Sequence, residues 1–344
     1  MDRPARVKSP SSCLTCPAQL FTLCQIKGAA VQQESDWLTK LVEQLGWQDR
    51  LSKMPNEADE GLLWHYTTIP VFREIAKHKV IHLNPLDRMN DSREGKWLSS
   101  YLAQNTLWQN GPLANTILGY QRTDTFAFSL SEANDLLSQW RAYANGGRGV
   151  AIGFEPTLLR NVFQPKETWD SLASEPELTP HTSFVKVEYV RARDMSDVVD
   201  IFVKLITQIA EATKSDWDKT HMPEDRNYYR IGHHYHSVGR RVLRMIQHLD
   251  PLFKNAAFRE EREWRMILYQ GVPAIQHLHA YTSGYRCTEN DIVRHYIMDV
   301  GDAMRAVTIG PLCRLNCIEM KNFLTSVDLQ HCGVFSSEAT LIAR

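Results

Sequence analysis

The stretch Phe258-Arg-Glu-Glu-Arg-Glu-Trp-Arg-Met-Ile-Leu268 narrows the folding options of this chain more than any other. From Glu263 onward the residues alternate. Trp264, Met266 and Leu268 share one face, and Glu263 and Arg265 share the other, which is the two-residue period of a strand. A charged helical end before it turns directly into that strand. A carboxylate fixed on a strand, with a guanidinium two residues along on the same face, is rigid and partly neutralised. Such a pair suits recognition or electrostatic stabilisation. An ordinary strand with a surface ion pair has the same pattern, so the decision falls to the rest of the chain.

Around this strand, the pattern predicts strands over 62–68, 80–83, 125–131, 150–154 and 183–190, two or three more over 275–309, and a last one near Val334. Helices are expected over 69–78, near Trp97, and over 135–144, 195–217, 232–255 and 314–325. Strands and helices mix without regular alternation, so the expected class is α+β. A length of 344 residues suits one large domain or two unequal ones. Residues 1–55 read as a cysteine-containing arm with an amphipathic helix at 35–47, and 56–344 as the main domain. A formal net charge of -1 gives no global pull toward nucleic acid or anionic membrane. No run approaches a membrane span: Ile201 to Ala210 is apolar but short and is interrupted by Lys204 and Gln208. The start has no apolar core of the secretory kind, and seven cysteines do not pair off. A soluble, cytoplasmic protein is expected.

Cys13, Cys16 and Cys24 give a C-x2-C followed by a third cysteine. Thiolates at that spacing hold one zinc ion or iron–sulfur cluster from a tight turn. A fourth ligand would have to come from elsewhere, and free cysteines in an arm are the alternative. The Gly146-Gly147-Arg148-Gly149 cluster is not a phosphate loop, because it follows a helix and precedes a strand rather than the reverse. The histidines at 233, 234 and 236 lack the paired spacing and neighbouring glutamate of a hydrolytic zinc helix and read as a solvated helix face. Asn90, Asp91 and Glu94 have the spacing of a helix cap before Trp97.

Taken in order, His65-Tyr66-Thr67, Asn90-Asp91-x-x-Glu94, Phe128-Ser129, Trp140-x-x-Tyr143 and Glu261-x-Glu263-Trp264-Arg265 resemble a bacterial family of unknown function. That family carries H-Y-T, N-D-x-x-E, F-S, W-x-x-Y and E-x-E-[WY]-R motifs, and the resemblance covers about residues 62–344. It is in turn similar, remotely, to ADP-ribosyltransferases, and the cysteine run resembles the N-terminal segment of FNR-type oxygen-sensing regulators. The resemblance implies an ADP-ribosyltransferase-like mixed sheet and an NAD-using enzyme of the toxin or phage-defence kind. It would act on a protein, a nucleic acid or water. His65 would hydrogen-bond a ribose or the carboxamide, with Tyr66, Thr67, Asn90, Asp91 and Arg265 in the same nucleotide site. Trp140 or Tyr143 would stack on nicotinamide, Ser129 would brace the site, and Glu263, with Glu261 as competitor, would contact the nicotinamide ribose. One carboxylate is enough for this chemistry, because nicotinamide leaves as a neutral ring and needs no acid. The alternative is a non-catalytic protein that binds a nucleotide or nucleic acid and senses redox state or metal through its cysteine arm.

Overall fold

A computed structural model describes residues 61–89, 95–105, 125–163, 181–204, 207, 246, 249–269, 282–287 and 292–340. Cys13, Cys16, Cys24, Asn90, Asp91, Glu94, the 35–47 helix and the histidine cluster lie outside the described residues. The class is α+β, with short helices around a mixed sheet of ten strands.

The first strand, β1 (Leu63–Thr67), is followed by α1 (Ile69–His78) and β2 (Val80–Pro85). The apolar residues Phe72, Ile75 and Ala76 recur at helical spacing and are buried on one face of α1. Helix α2 (Trp97–Leu102) and strand β3 (Thr125–Ser131) come next, then α3 (Leu137–Tyr143), β4 (Val150–Phe154) and α4 (Pro156–Phe163). Strands β5 (His181–Lys186) and β6 (Glu188–Val190) divide at Val187 what the sequence suggests is one strand. Helical backbone covers 192–204. The helix expected to run to Asn255 ends earlier. Pro251 sits in a single 3-10 turn, Asp250–Leu252, and β7 (Phe253–Asn255) follows, since proline has no N–H for an α-helical interior. A second 3-10 segment, Ala256–Glu261, leads into β8 (Glu263–Tyr269). The chain then forms β9 (Thr282–Cys287), β10 (Ile292–Asp299), β11 (Met304–Ile309), α5 (Cys317–Ser326) and β12 (Gly333–Ser336).

Strand β3 is the hinge of the large sheet. One edge is fully paired with β8, which pairs with β5 beyond it. On the other edge β2 pairs only at Phe126 and Ala127, and β1 only at Ser131. Between them Phe128, Ser129 and Leu130 have no strand partner on that side, and the sheet forks. One wing runs β1-β4-β11-β12 and the other β2-β10-β9. Alternation on β3 and β8 sends Phe126, Phe128, Leu130, Trp264, Met266 and Leu268 into the main core. A small parallel pair, β6–β7, forms a second, two-stranded sheet.

A tight glycine turn joins α3 to β4. A Cβ on Gly149 would lie 2.1 Å from the Thr67 carbonyl oxygen, so only glycine allows β1 and this turn to approach. The turn also accepts the Gly310 N–H through the Gly149 carbonyl at 3.0 Å, which ties the end of β11 to the start of β4.

Candidate functional site

The alternation of β8 puts Glu263 and Arg265 on one face, directly across from Ser131 and Ser129 of β3. All seven residues of β8 are buried, so the ion pair is interior rather than superficial. Arg265 is 0% exposed and grips Glu263 with both sides of its fork, Nε to Oε1 at 2.8 Å and Nη2 to Oε2 at 3.1 Å. Its remaining Nη1 donates to the Pro251 carbonyl at 2.6 Å. Lys254, on β7, donates to Glu263 Oε2 at 2.8 Å and to Glu261 Oε2 at 2.6 Å. Ser129 Oγ donates to Glu263 Oε1 at 2.6 Å. The Glu263 N–H donates to the Tyr189 hydroxyl at 2.8 Å, which links β6 to the start of β8.

Two carboxylates and two cations are therefore buried together, and their formal charges cancel. Buried charges are tolerated only when paired and hydrogen-bonded, and here each one is. Burial is the largest influence on Glu263 and would raise its carboxyl. Arg265, then Lys254, outweigh it and hold the group down at about 2. Glu263 is thus ionised, and its four lone-pair positions are all occupied by Ser129, Arg265 and Lys254. Glu261 differs. Tyr143 Oη donates to its Oε1 at 3.1 Å and Lys254 to its Oε2, which leaves two positions for a ligand.

His65 enters from β1 where the sheet forks. Its Nδ1 lies 3.0 Å from the Ser129 carbonyl oxygen; a carbonyl only accepts, so Nδ1 carries the proton and Nε2 is an acceptor. Its ring lies 4.3 Å, centroid to centroid, from that of Phe128. Burial lowers the imidazole to about 4, against the smaller raising effect of the Ser129 bond. The ring is neutral near pH 7. Through Ser129, whose carbonyl meets His65 and whose hydroxyl meets Glu263, β1 and β8 share one hydrogen-bonded network.

These groups line a cavity of about 190 Å³ in the fork. His65, Tyr66, Ser129 and Tyr143 reach it, together with Lys254, Glu261 and Glu263. Whole drug-sized ligands usually occupy roughly 300–1,000 Å³, so this space suits a small ligand or one end of a larger one. Three residues expected at the nucleotide do not line it. Trp140 is 0% exposed, its Nε1 held by Asp135 at 2.6 Å and its ring met edge-on by Tyr66 at 4.8 Å. Three residues along the same short helix, Tyr143 is the aromatic at the cavity. Thr67 is buried and Arg265 stands behind Glu263. Tyr66 reaches the cavity, but its hydroxyl is engaged, donating to the Ala133 carbonyl at 2.8 Å and accepting from the Leu136 N–H at 2.9 Å.

Sequence reasoning did not single out Lys254, Tyr189, Asn84 or Gln139. A lysine between Phe253 and two residues of apolar or turn type, just after a Pro-Leu pair, is the only trace of a buried cation at 254. Among the described residues, no cluster of three or more His, Cys, Asp or Glu side chains is arranged to hold a metal, and no helix is long and apolar enough to cross a membrane. No curated protein matches the chain, and no solved structure does. Residues 139–266, the segment carrying Tyr143, Lys254, Glu261 and Glu263, are similar to a family described as a protein of unknown function (DUF2971).

Proposed function

We propose that the cavity binds NAD or a closely related nucleotide and that the chain cleaves the nicotinamide–ribose bond, as an ADP-ribosyltransferase or NAD glycohydrolase. The observation carrying this reading is the meeting of a neutral imidazole, an aromatic hydroxyl and two carboxylates, from β1, α3 and β8 with its approach, around one ring-sized space. In the reaction the bond from the pyridinium nitrogen to C1′ breaks, and its electron pair leaves with neutral nicotinamide. The oxocarbenium-like sugar is captured by water or by a nucleophile on a protein or nucleic acid, which loses a proton. His65 Nε2 accepts from a ligand hydroxyl or amide. Glu261, with its unused lone pairs, takes a ribose hydroxyl and faces the developing positive charge. Glu263 holds Ser129 and Lys254 in place.

Nicotinamide release from NAD, followed by chromatography, tests the proposal. Glu261→Gln should lower the rate by about 10²–10³-fold, the usual loss when one transition-state contact is removed, measured well below the melting temperature of the variant, which loses a buried ion pair with Lys254. Folded wild-type protein that neither releases nicotinamide nor gains thermal stability from NAD overturns it. The complete occupation of Glu263 favours a second reading, nucleotide recognition without cleavage. On that reading NAD raises the melting temperature and nicotinamide is never released.

A further inference from the structure

Two side-chain amides face the same cavity with hydrogen-bonding capacity that the protein itself does not use. Asn84 lies on β2, beside Ala127 at the foot of the fork. Its Nδ2 donates to the His82 carbonyl at 3.3 Å. That contact fixes the amide, because the opposite orientation would set two oxygens against each other. Oδ1 is then buried with no hydrogen-bond partner. Gln139 lies four residues before Tyr143 on α3, so the two share a helix face. It is 7% exposed, lines the cavity, and its amide makes no hydrogen bond among the described residues. Buried polar groups are nearly always satisfied, and an unpaired one opposes folding. An acceptor at Asn84 and a donor–acceptor amide at Gln139, both left open beside His65, Phe128 and Tyr143, have the chemistry of a site that a ligand completes.

We infer that Asn84 and Gln139 select a ring ligand by its neutral amide edge, accepting an aromatic carboxamide and rejecting the matching carboxylate. The ligand amide N–H₂ donates to Asn84 Oδ1, and its carbonyl accepts from the Gln139 amide. A carboxylate in the same position has no proton to give and sets its oxygens against Asn84 Oδ1, with Glu261 and Glu263 nearby. A site built to hydrogen-bond a group discriminates strongly against an analogue lacking it, because its own polar atoms stay unpaired. This inference deepens the nucleotide reading and shares its cavity, but it concerns which ring enters and does not require turnover.

Benzamide and benzoate, a neutral and an anionic probe of the same shape, are titrated calorimetrically into the full chain. Benzamide should bind at least 10-fold more tightly than benzoate. Asn84→Leu should lower benzamide affinity at least 10-fold while raising the melting temperature of the free protein, since it removes a buried unsatisfied acceptor. Gln139→Leu, a good helix former in the same place, should lower benzamide affinity similarly. Equal affinity for the two probes overturns the inference, as does no benzamide binding at millimolar concentration. Variants that bind benzamide within twofold of wild type also overturn it. Nicotinamide release with unchanged KM in both variants refutes the amide reading and leaves the catalytic proposal standing. Asn84-dependent benzamide binding without any nicotinamide release does the reverse.

Discussion

Lys254→Met removes the one cation shared by both glutamates while keeping a side chain of similar length. In the wild type its ammonium is 2.6 Å from Glu261 and 2.8 Å from Glu263, and the residue is 4% exposed. The variant leaves two buried carboxylates facing Arg265 alone. Breaking a buried ion pair from one side costs about 3–5 kcal/mol. For a chain of this length about 2 °C accompanies each kcal/mol, so the melting temperature should fall by roughly 6–10 °C. The pH dependence has a definite sign. In the wild type Glu263 is held below its ordinary value of 4.5, so its stabilising contribution is present above that pH and is lost as the pH falls toward 2. Without Lys254, burial meets less opposition and pushes the Glu263 carboxyl upward. The carboxylate then contributes less above pH 4.5, and less is left to lose as the pH falls from there toward 2. Scanning calorimetry of both proteins at pH 7.5, 4.5 and 3 should show the gap narrowing as the pH falls below about 4.5. A second change, Glu261→Gln, rebalances the charges and should recover at least half of the loss. A fall of under 2 °C at pH 7.5, or a gap that stays constant or widens with acid, refutes the reasoning.

His65 should stay neutral well below the ordinary imidazole range, with its midpoint near pH 4. The stability it contributes is present above about pH 6.5 and is lost as the pH falls through 4, and a histidine NMR resonance assigned to it that titrates near 6.5 would contradict this. Gly149→Ala brings a methyl group to 2.1 Å from the Thr67 carbonyl and 3.1 Å from Ala144 Cα, both backbone atoms that cannot rotate away. A loss of more than about 4 kcal/mol is expected, seen as poor soluble yield, and a melting temperature within 3 °C of wild type would show that the turn yields more easily than its geometry implies.

Strong periodicity made the sheet readable. Trp264, Met266 and Leu268 do enter the core, and Glu263 with Arg265 occupies the opposite face, because a strand gives a side chain only two directions. The tight turn at 145–149 was legible for the same kind of reason, since its glycines follow a helix and lead into a strand. What alternation does not encode is which face receives a second layer. The 251–261 segment covers the Glu263 face and makes a surface-like charge pattern an interior one. Lys254 was hidden because three residues are too few to show a period, and their helical context suggested a continuation of the preceding helix. Trp140 and Tyr143 look equivalent on a helix wheel. Only the position of Tyr66, edge-on to the indole, separates a core ring from one at the cavity. Asn84 precedes a proline at the end of a strand, and nothing local distinguishes it from a turn former.

An open fork in a hydrogen-bonded sheet is a gap that ordinary strand pairing would tend to fill. The Ser129 carbonyl accepts its hydrogen bond from an imidazole, so the histidine acts as a wedge between two wings whose backbones could otherwise draw together. Random mutation screened for heat resistance alone should therefore drift toward chains that zip this seam shut. Such descendants would outlast their parent on heating and have no room left inside for a guest.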